Sequence, residues 1–237
     1  MYERADSHFR TAVFYKPSDF WNHPTGVALA PLLMQEITGS APEISHIGKL
    51  VTKGDAITID RPPPALYFDL ETVELKGRQR DRALFVWFHE LNGKIVPQGI
   101  RITLDSDQHP AIWEVLNDTT GIQQIFVSQS LDAAASEALG APLPGRQSAL
   151  EPGLQEAPDV VVSRVISDGP MAMGPVVYLN AKHHDVATLI CRCMVPQVEE
   201  LASTVVYEVV EMNDSKTNET VHRALKQARI PVSRWFN

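Results

Sequence analysis

Cysteine is the scarcest chemistry in this chain. Cys191 and Cys193, separated by one residue, are the two among 237 residues, so no disulfide framework can hold the fold and a reducing, cytoplasmic setting is expected. Basic charge is also short. Lys and Arg number 21 against 29 Asp and Glu, and the resulting net charge of −8 argues against nucleic acid or anionic lipid as a nonspecific partner. No apolar run approaches the ~20 residues of a membrane-spanning helix. The opening Met1-Tyr2-Glu3-Arg4-Ala5-Asp6 mixes acids with bases and leads into no apolar segment of a secretory signal. GxGxxG, GxxxxGK[ST] and GxSxG are all missing, which removes the usual support for a nucleotide loop or a nucleophile elbow.

What is present is an ordinary globular composition, 44% apolar and 21% charged, in a chain long enough for one large or two small domains with a real core. Leu66–Leu75 and Ala83–Leu91 are rich in aromatic and β-branched residues and read as a hairpin across the polar Gly77–Asp81 stretch. Asn92-Gly93 is the preferred pair for a two-residue turn, which returns the chain through Lys94–Val96 before Pro97 and Gly99 interrupt it and Ile100–Asp105 resumes. Ile57–Ile59, Ile122–Ser128, Val160–Ile166, Val176–Leu179, Val186–Met194 and Thr204–Val210 are strand-like. Ala111–Leu116 is ambiguous between helix and strand at its length.

Helices are expected at Val27–Ile37, opened or kinked by Pro31, at Leu131–Leu139 between a Ser130 cap and Gly140, and at Pro196–Ala202. A last one follows Asn218, with Val221, Ala224, Leu225 and Ala228 on one face and Pro231 as its stop. Short connections between strands imply an α+β fold with one or more mainly antiparallel sheets and short flanking helices. The chain divides into an N-terminal α+β half with an antiparallel meander (1–139), a Pro/Gly-rich linker or long loop (140–158), and a C-terminal hairpin plus terminal helix (159–237). The two halves are also compatible with a single domain.

Three groups of residues carry candidate chemistry. Asp105, Asp107 and His109 would project from one face if their stretch stays extended, with His89 in the preceding hairpin as a fourth group. Together they suit a divalent metal, the one cofactor these residue types favour, although Asp-Ser-Asp before His-Pro is also ordinary turn chemistry. Arg78, Arg80 and Arg82 could bind an anionic ligand, or pair with Glu71 and Glu74 across the hairpin. Lys216, Arg223, Lys226, Arg229 and Arg234 against Glu219 give residues 216–237 a net charge of +4, leaving −12 on the rest. Arg223, Lys226, Arg229 and Trp235 could thus dock a protein partner or a second copy, and the competing reading packs this helix on the fold.

A zinc tetrad from His183, His184, Cys191 and Cys193 fails on distance. Seven positions of extended strand from His184 to Cys191 span roughly 23 Å. The preferred expectation is a non-catalytic ligand-binding or protein-interaction module that requires no cofactor. The alternative is a metal-assisted hydrolase at Asp105–His109.

Overall fold

The computed structural model describes residues 12–18, 28–37, 47–60, 63–117, 123–140, 160–169, 173–181, 183–190 and 203–236. Strand accounts for 59% of these residues and helix for 17%, and the sheet is a mixed, nearly closed barrel. The expectation of an antiparallel α+β fold is corrected on both counts.

Chain order gives β1 (Ala12–Pro17), β2 (Leu32–Glu36), β3 (Ile47–Lys53), β4 (Ala56–Asp60), β5 (Ala65–Leu75), β6 (Arg78–Leu91), β7 (Lys94–Leu104), β8 (Pro110–Leu116) and β9 (Gln123–Ser128). Helix α1 (Gln129–Leu139) follows, then β10 (Val160–Ile166), β11 (Val176–Leu179), β12 (Val186–Ile190), β13 (Ser203–Glu211), α2 (Ser215–Gln227) and the single turn α3 (Ser233–Phe236). Spatially the strands run β10-β9-β8-β7-β6-β5-β13-β1-β2-β11-β12, with β3 hydrogen-bonded to β4 and to β6. The sequential run from β5 to β9 is antiparallel, as short turns require. Four other pairings are parallel: β13 with β1 and with β5, β11 with β2, and β10 with β9. None joins strands linked by a tight turn, so hairpin spacing could not have announced them.

Alternation of side chains fills the barrel. Phe85 and Trp87 of β6, Leu66 and Phe68 of β5, and Ile100 and Ile102 of β7 share one interior cluster with Tyr15, Trp113, Phe126 and Tyr207. The alternate residues of the same strands, Tyr67, Leu84, Val86 and Phe88, face outward and are covered by Leu50, Ile57, Val221, Leu225 and Trp235. Helix α2 therefore packs on the barrel wall through its Val221, Ala224 and Leu225 face. Gly99 serves this packing: a Cβ there would lie 2.6 Å from the Phe85 carbonyl oxygen and 2.8 Å from the Trp235 ring.

Several local expectations change in this setting. Val27–Ile37 was expected to be helical, yet Leu32–Glu36 is a strand, with Leu33 in the interior cluster and Leu32 and Met34 in an outer one. Burial on both faces produces a continuous apolar run that imitates a short buried helix. Ala111–Leu116 resolves as strand, within β8. β7 runs unbroken through Pro97, which lies beyond the last β8 pair, Gly99 with Leu116. Asn92 and Gly93 have φ of 52° and 70°, as the two-residue turn demands. The caps also shift: Ser128 caps α1 by accepting from Leu131 N, and Asp214 caps α2 by accepting from Lys216 N and Thr217 N. Residues 141–159 and 191–202, and with them most of the expected linker, Cys191, Cys193 and the Pro196–Ala202 segment, lie outside the described residues. No described helix is long and apolar enough to cross a membrane.

Candidate functional site

The two ends of the barrel differ. At the end where β6 leaves and β7 enters, strand alternation turns His89 inward beside Trp87, and Gln98 inward two residues before Ile100. Gln35 reaches the same level from β2, where it pairs with Leu179. The β11–β12 connection then folds back over them. Asn180 N donates to the Asp185 carbonyl, His184 N to the Asn180 carbonyl and His183 N to Asn180 Oδ1, with His184 in the left-handed region at φ 59°. The His89 and His184 rings stack at 4.6 Å and 12°. Gln35 Nε2 lies 2.9 Å from His184 Nδ1, so as placed the amide donates and the imidazole holds its proton on Nε2. Gln98 Nε2 donates to Asp185 Oδ1 at 3.1 Å. Gln35, His89, Gln98 and His184 are all buried. Burial lowers the His184 pKa from its ordinary value, with His183 acting in the same direction and Asp185 against it. These groups form a polar plug.

The opposite end is hollow. Asp105 does not continue β7 as an extended segment. Its Oδ1 accepts from Asp107 N and His109 N, while its own N donates to the His109 carbonyl, closing a tight turn with Gln108 at φ 64°. Across from this turn, β10 ends and Asp168 accepts from Ser130 N and Ser130 Oγ at the start of α1. Between them lies a cavity of about 320 Å³. Asp105, Asp107, His109, Ser130, Ser167 and Asp168 supply its polar groups. Trp113 and Ile166, members of the barrel interior, close it inward, and Pro110, Met173 and Pro175 give it apolar sides. Trp113 is 5% exposed, and its Nε1 has no hydrogen-bond partner among the described residues.

A wider depression of about 520 Å³ runs along α2 past Asn218, His222, Arg223, Lys226 and Val232. It is a shallow surface feature. The cavity at the barrel end is smaller but brings polar and apolar groups from separate strands together, which is what recognition needs.

The residues nominated from sequence are dispersed by this fold. His89 pairs with Val96, and Leu104, the last residue of β7 before Asp105, lies eight residues further on, a separation of about 26 Å at ~3.3 Å per residue. His89 therefore belongs to the plug and Asp105, Asp107 and His109 to the hollow end. No group of three His, Cys, Asp or Glu able to hold a metal ion occurs among the described residues, and His89 is too far from Asp105, Asp107 and His109 to complete the four-residue set expected from sequence. Arg82 is bonded to Glu71 Oε1 through Nε at 2.8 Å and Nη2 at 2.6 Å. Arg78 and Arg80 stand opposite Leu75 and Val73, towards the exposed end of the same hairpin. On α2, Arg223 donates to the Asp55 carbonyl at 2.7 Å, Lys226 and Arg229 are exposed, and Trp235 is fully buried against the barrel wall.

Two features escaped sequence reasoning. Gln35 and Gln98 occupy apolar positions of the strand alternation, two residues from Leu33 and Ile100 respectively, and that misplaced polarity was the available sign of the plug. Asp168, Ser130 and Trp113 carry no spacing signature, because the strands that bring them together are distant in sequence. The chain matches no protein family, no curated protein and no solved structure.

Proposed function

We propose that the protein is a non-catalytic binding protein that takes a small ligand into the hollow end of its barrel. The observation that carries this reading is the cavity bounded inward by Trp113 and Ile166, whose volume of about 320 Å³ suits a small molecule. Barrel mouths are recurrent ligand sites because strand ends deliver side chains from several directions onto one apolar floor.

The same residues are poorly arranged for nucleophilic catalysis. Ser130 Oγ donates directly to Asp168 Oδ1 at 3.2 Å, and no imidazole among the described residues is hydrogen-bonded to it. An activated serine needs the base between hydroxyl and carboxylate. Asp105 is engaged in holding its turn. A content of two cysteines suits a reducing compartment, so the reading carries a cytoplasmic setting with it.

The test is a screen of small fragments read by thermal shift and ligand-observed NMR, on the native chain and on Met173→Trp, which fills the cavity with apolar volume. Fragments that raise the melting temperature and show saturation transfer from the native protein should lose both effects in M173W. Persistence of binding in M173W, or a complete lack of response in the native protein, overturns the reading.

A further inference from the structure

We infer that the β11–β12 connection is a proton-released latch: it is fastened over the plugged end of the barrel while the stacked His89–His184 pair is neutral, and it lifts when that pair takes up a proton, with the sheet beneath still folded. The latch lies at the opposite end of the barrel from the cavity and needs no ligand there. Its two rings come from elements of different anchorage. His89 sits in β6, which is hydrogen-bonded to β5 and β7 along its length. His184 sits in the short connection between Leu179 and Val186, which closes on itself through Asn180 N to the Asp185 carbonyl and His184 N to the Asn180 carbonyl. Its ties to the barrel include the ring stack, the Gln35–His184 and Gln98–Asp185 hydrogen bonds, and Ala181 N donating to Glu36 Oε2 at 3.3 Å. The backbone of His184, at φ 59°, lies in the left-handed region, a conformation the free loop need not keep.

The stack has no room for a hydrated charge. His89 is 0% and His184 4% exposed, with their ring centroids 4.6 Å apart. With its proton on Nε2, His184 accepts from Gln35 at Nδ1. A second proton must go to Nδ1, where it meets the amide N–H of Gln35. Turning that amide over restores one hydrogen bond and still leaves a buried cation against the His89 ring. The surrounding elements bring few charges to offset it. β2 brings Glu36, exposed and accepting from Ala181 N. On β6, Glu90 follows His89 and by alternation points away from it. β7 brings the uncharged Gln98, and β3 pairs with His89 through Ile47. Within the loop, His183 opposes a proton on His184 and Asp185 attracts one, but burial outweighs Asp185 and holds the His184 pKa below its ordinary value. In the lifted loop the rings reach water and titrate at about 6.5. The latch therefore holds above about pH 6.5, and below it the opening equilibrium gains up to about tenfold per pH unit for each ring protonated.

Native-state hydrogen exchange tests the latch, because the N–H groups of Asn180, His183 and His184 are hydrogen-bonded only while the loop is closed. Exchange in the β11–β12 connection and in the β6–β7 meander is followed at about pH 7.5 and about pH 5.5, corrected for the intrinsic pH dependence of exchange, with and without low denaturant. Acid should speed exchange in the connection by about tenfold, and low denaturant should leave that rate unchanged, since a local opening exposes little surface. The meander should exchange far more slowly and respond to denaturant. His184→Asn removes the titrating ring, keeps a residue that tolerates the left-handed backbone, and should lose most of the acid response. Gln35→Glu offers the protonated ring a carboxylate and should keep the connection closed in acid. Equal protection at both pH values overturns the latch. So does an acid response that grows with denaturant in step with the meander, which is global unfolding, or one that His184→Asn retains in full.

Discussion

The two ends of this barrel are built from the same strands and finished in opposite ways. At one end Gln35, His89, Gln98, His184 and Asp185 gather and a hairpin tip folds over them, tied by the Gln35–His184 and Gln98–Asp185 hydrogen bonds and the His89–His184 stack. At the other, the β7–β8 turn and the β10 exit stand apart and leave about 320 Å³ above Trp113. An inward polar group therefore does not by itself mark a binding site. His89 and His184 are the more conspicuous residues by type, yet they are occupied with each other, and the usable space lies where chemically ordinary turn residues stop short of closing the wall.

The largest expected effect probes packing at the two ends. Trp87 is fully buried in the interior cluster beside the plug, and Trp87→Ala should cost about 3–5 kcal/mol in denaturant unfolding. Trp113 already borders empty space, so Trp113→Ala should cost less by about 1 kcal/mol or more, since fewer dispersion contacts are lost. Equal penalties would mean that the hollow end is as tightly packed as the plugged one. Acid titration gives the next effect. Burial holds the His184 imidazole below its ordinary value, so the unfolded chain takes up a proton there at higher pH than the native one. Its contribution is fully present above about pH 6.5 and is lost as pH falls below that value, towards the lower native one. Denaturant midpoints should fall across that window, and His184→Gln should flatten the fall. The smallest effect is Asp107→Asn, expected to shift stability by no more than about 0.5 kcal/mol. A larger loss would give this carboxylate a structural role and remove it from the rim of a site.

How much of this was readable in advance depended on sequence distance. The β5–β6–β7 meander was visible because alternation, an Asn-Gly turn and aromatic runs all act over a few residues, and the Val221–Ala224–Leu225 stripe of α2 was visible for the same reason. The strand at Leu32–Glu36 was hidden, since burial on both faces erases the alternation that distinguishes strand from helix. Parallel neighbours were hidden altogether. At the hollow end, Asp105, Asp107 and His109 were noticed for a metal and an extended geometry, whereas Asp105 binds backbone N–H groups in a turn. Their wall partners Trp113, Ser130 and Asp168 could not be foreseen, because only the long-range pairing of β8, β9 and β10 brings them close.

The position of β13 has a consequence for how the molecule comes into being. It is the last of the thirteen strands among the described residues, yet it lies between β5 and β1 and joins the arc β5–β10 to the arc of β1, β2, β11 and β12. Its partners Val13 and Ala65 precede Ser203 and Glu208 by 190 and 143 residues, so the loops closed by this one strand are among the longest the chain can form. During synthesis, β5 and β1 each wait with an unpaired edge until residue 211 has emerged from the ribosome. Closure is therefore the slow, late event of folding, and a growing chain stalled before β13 is a pair of open-edged half-sheets inviting association with one another.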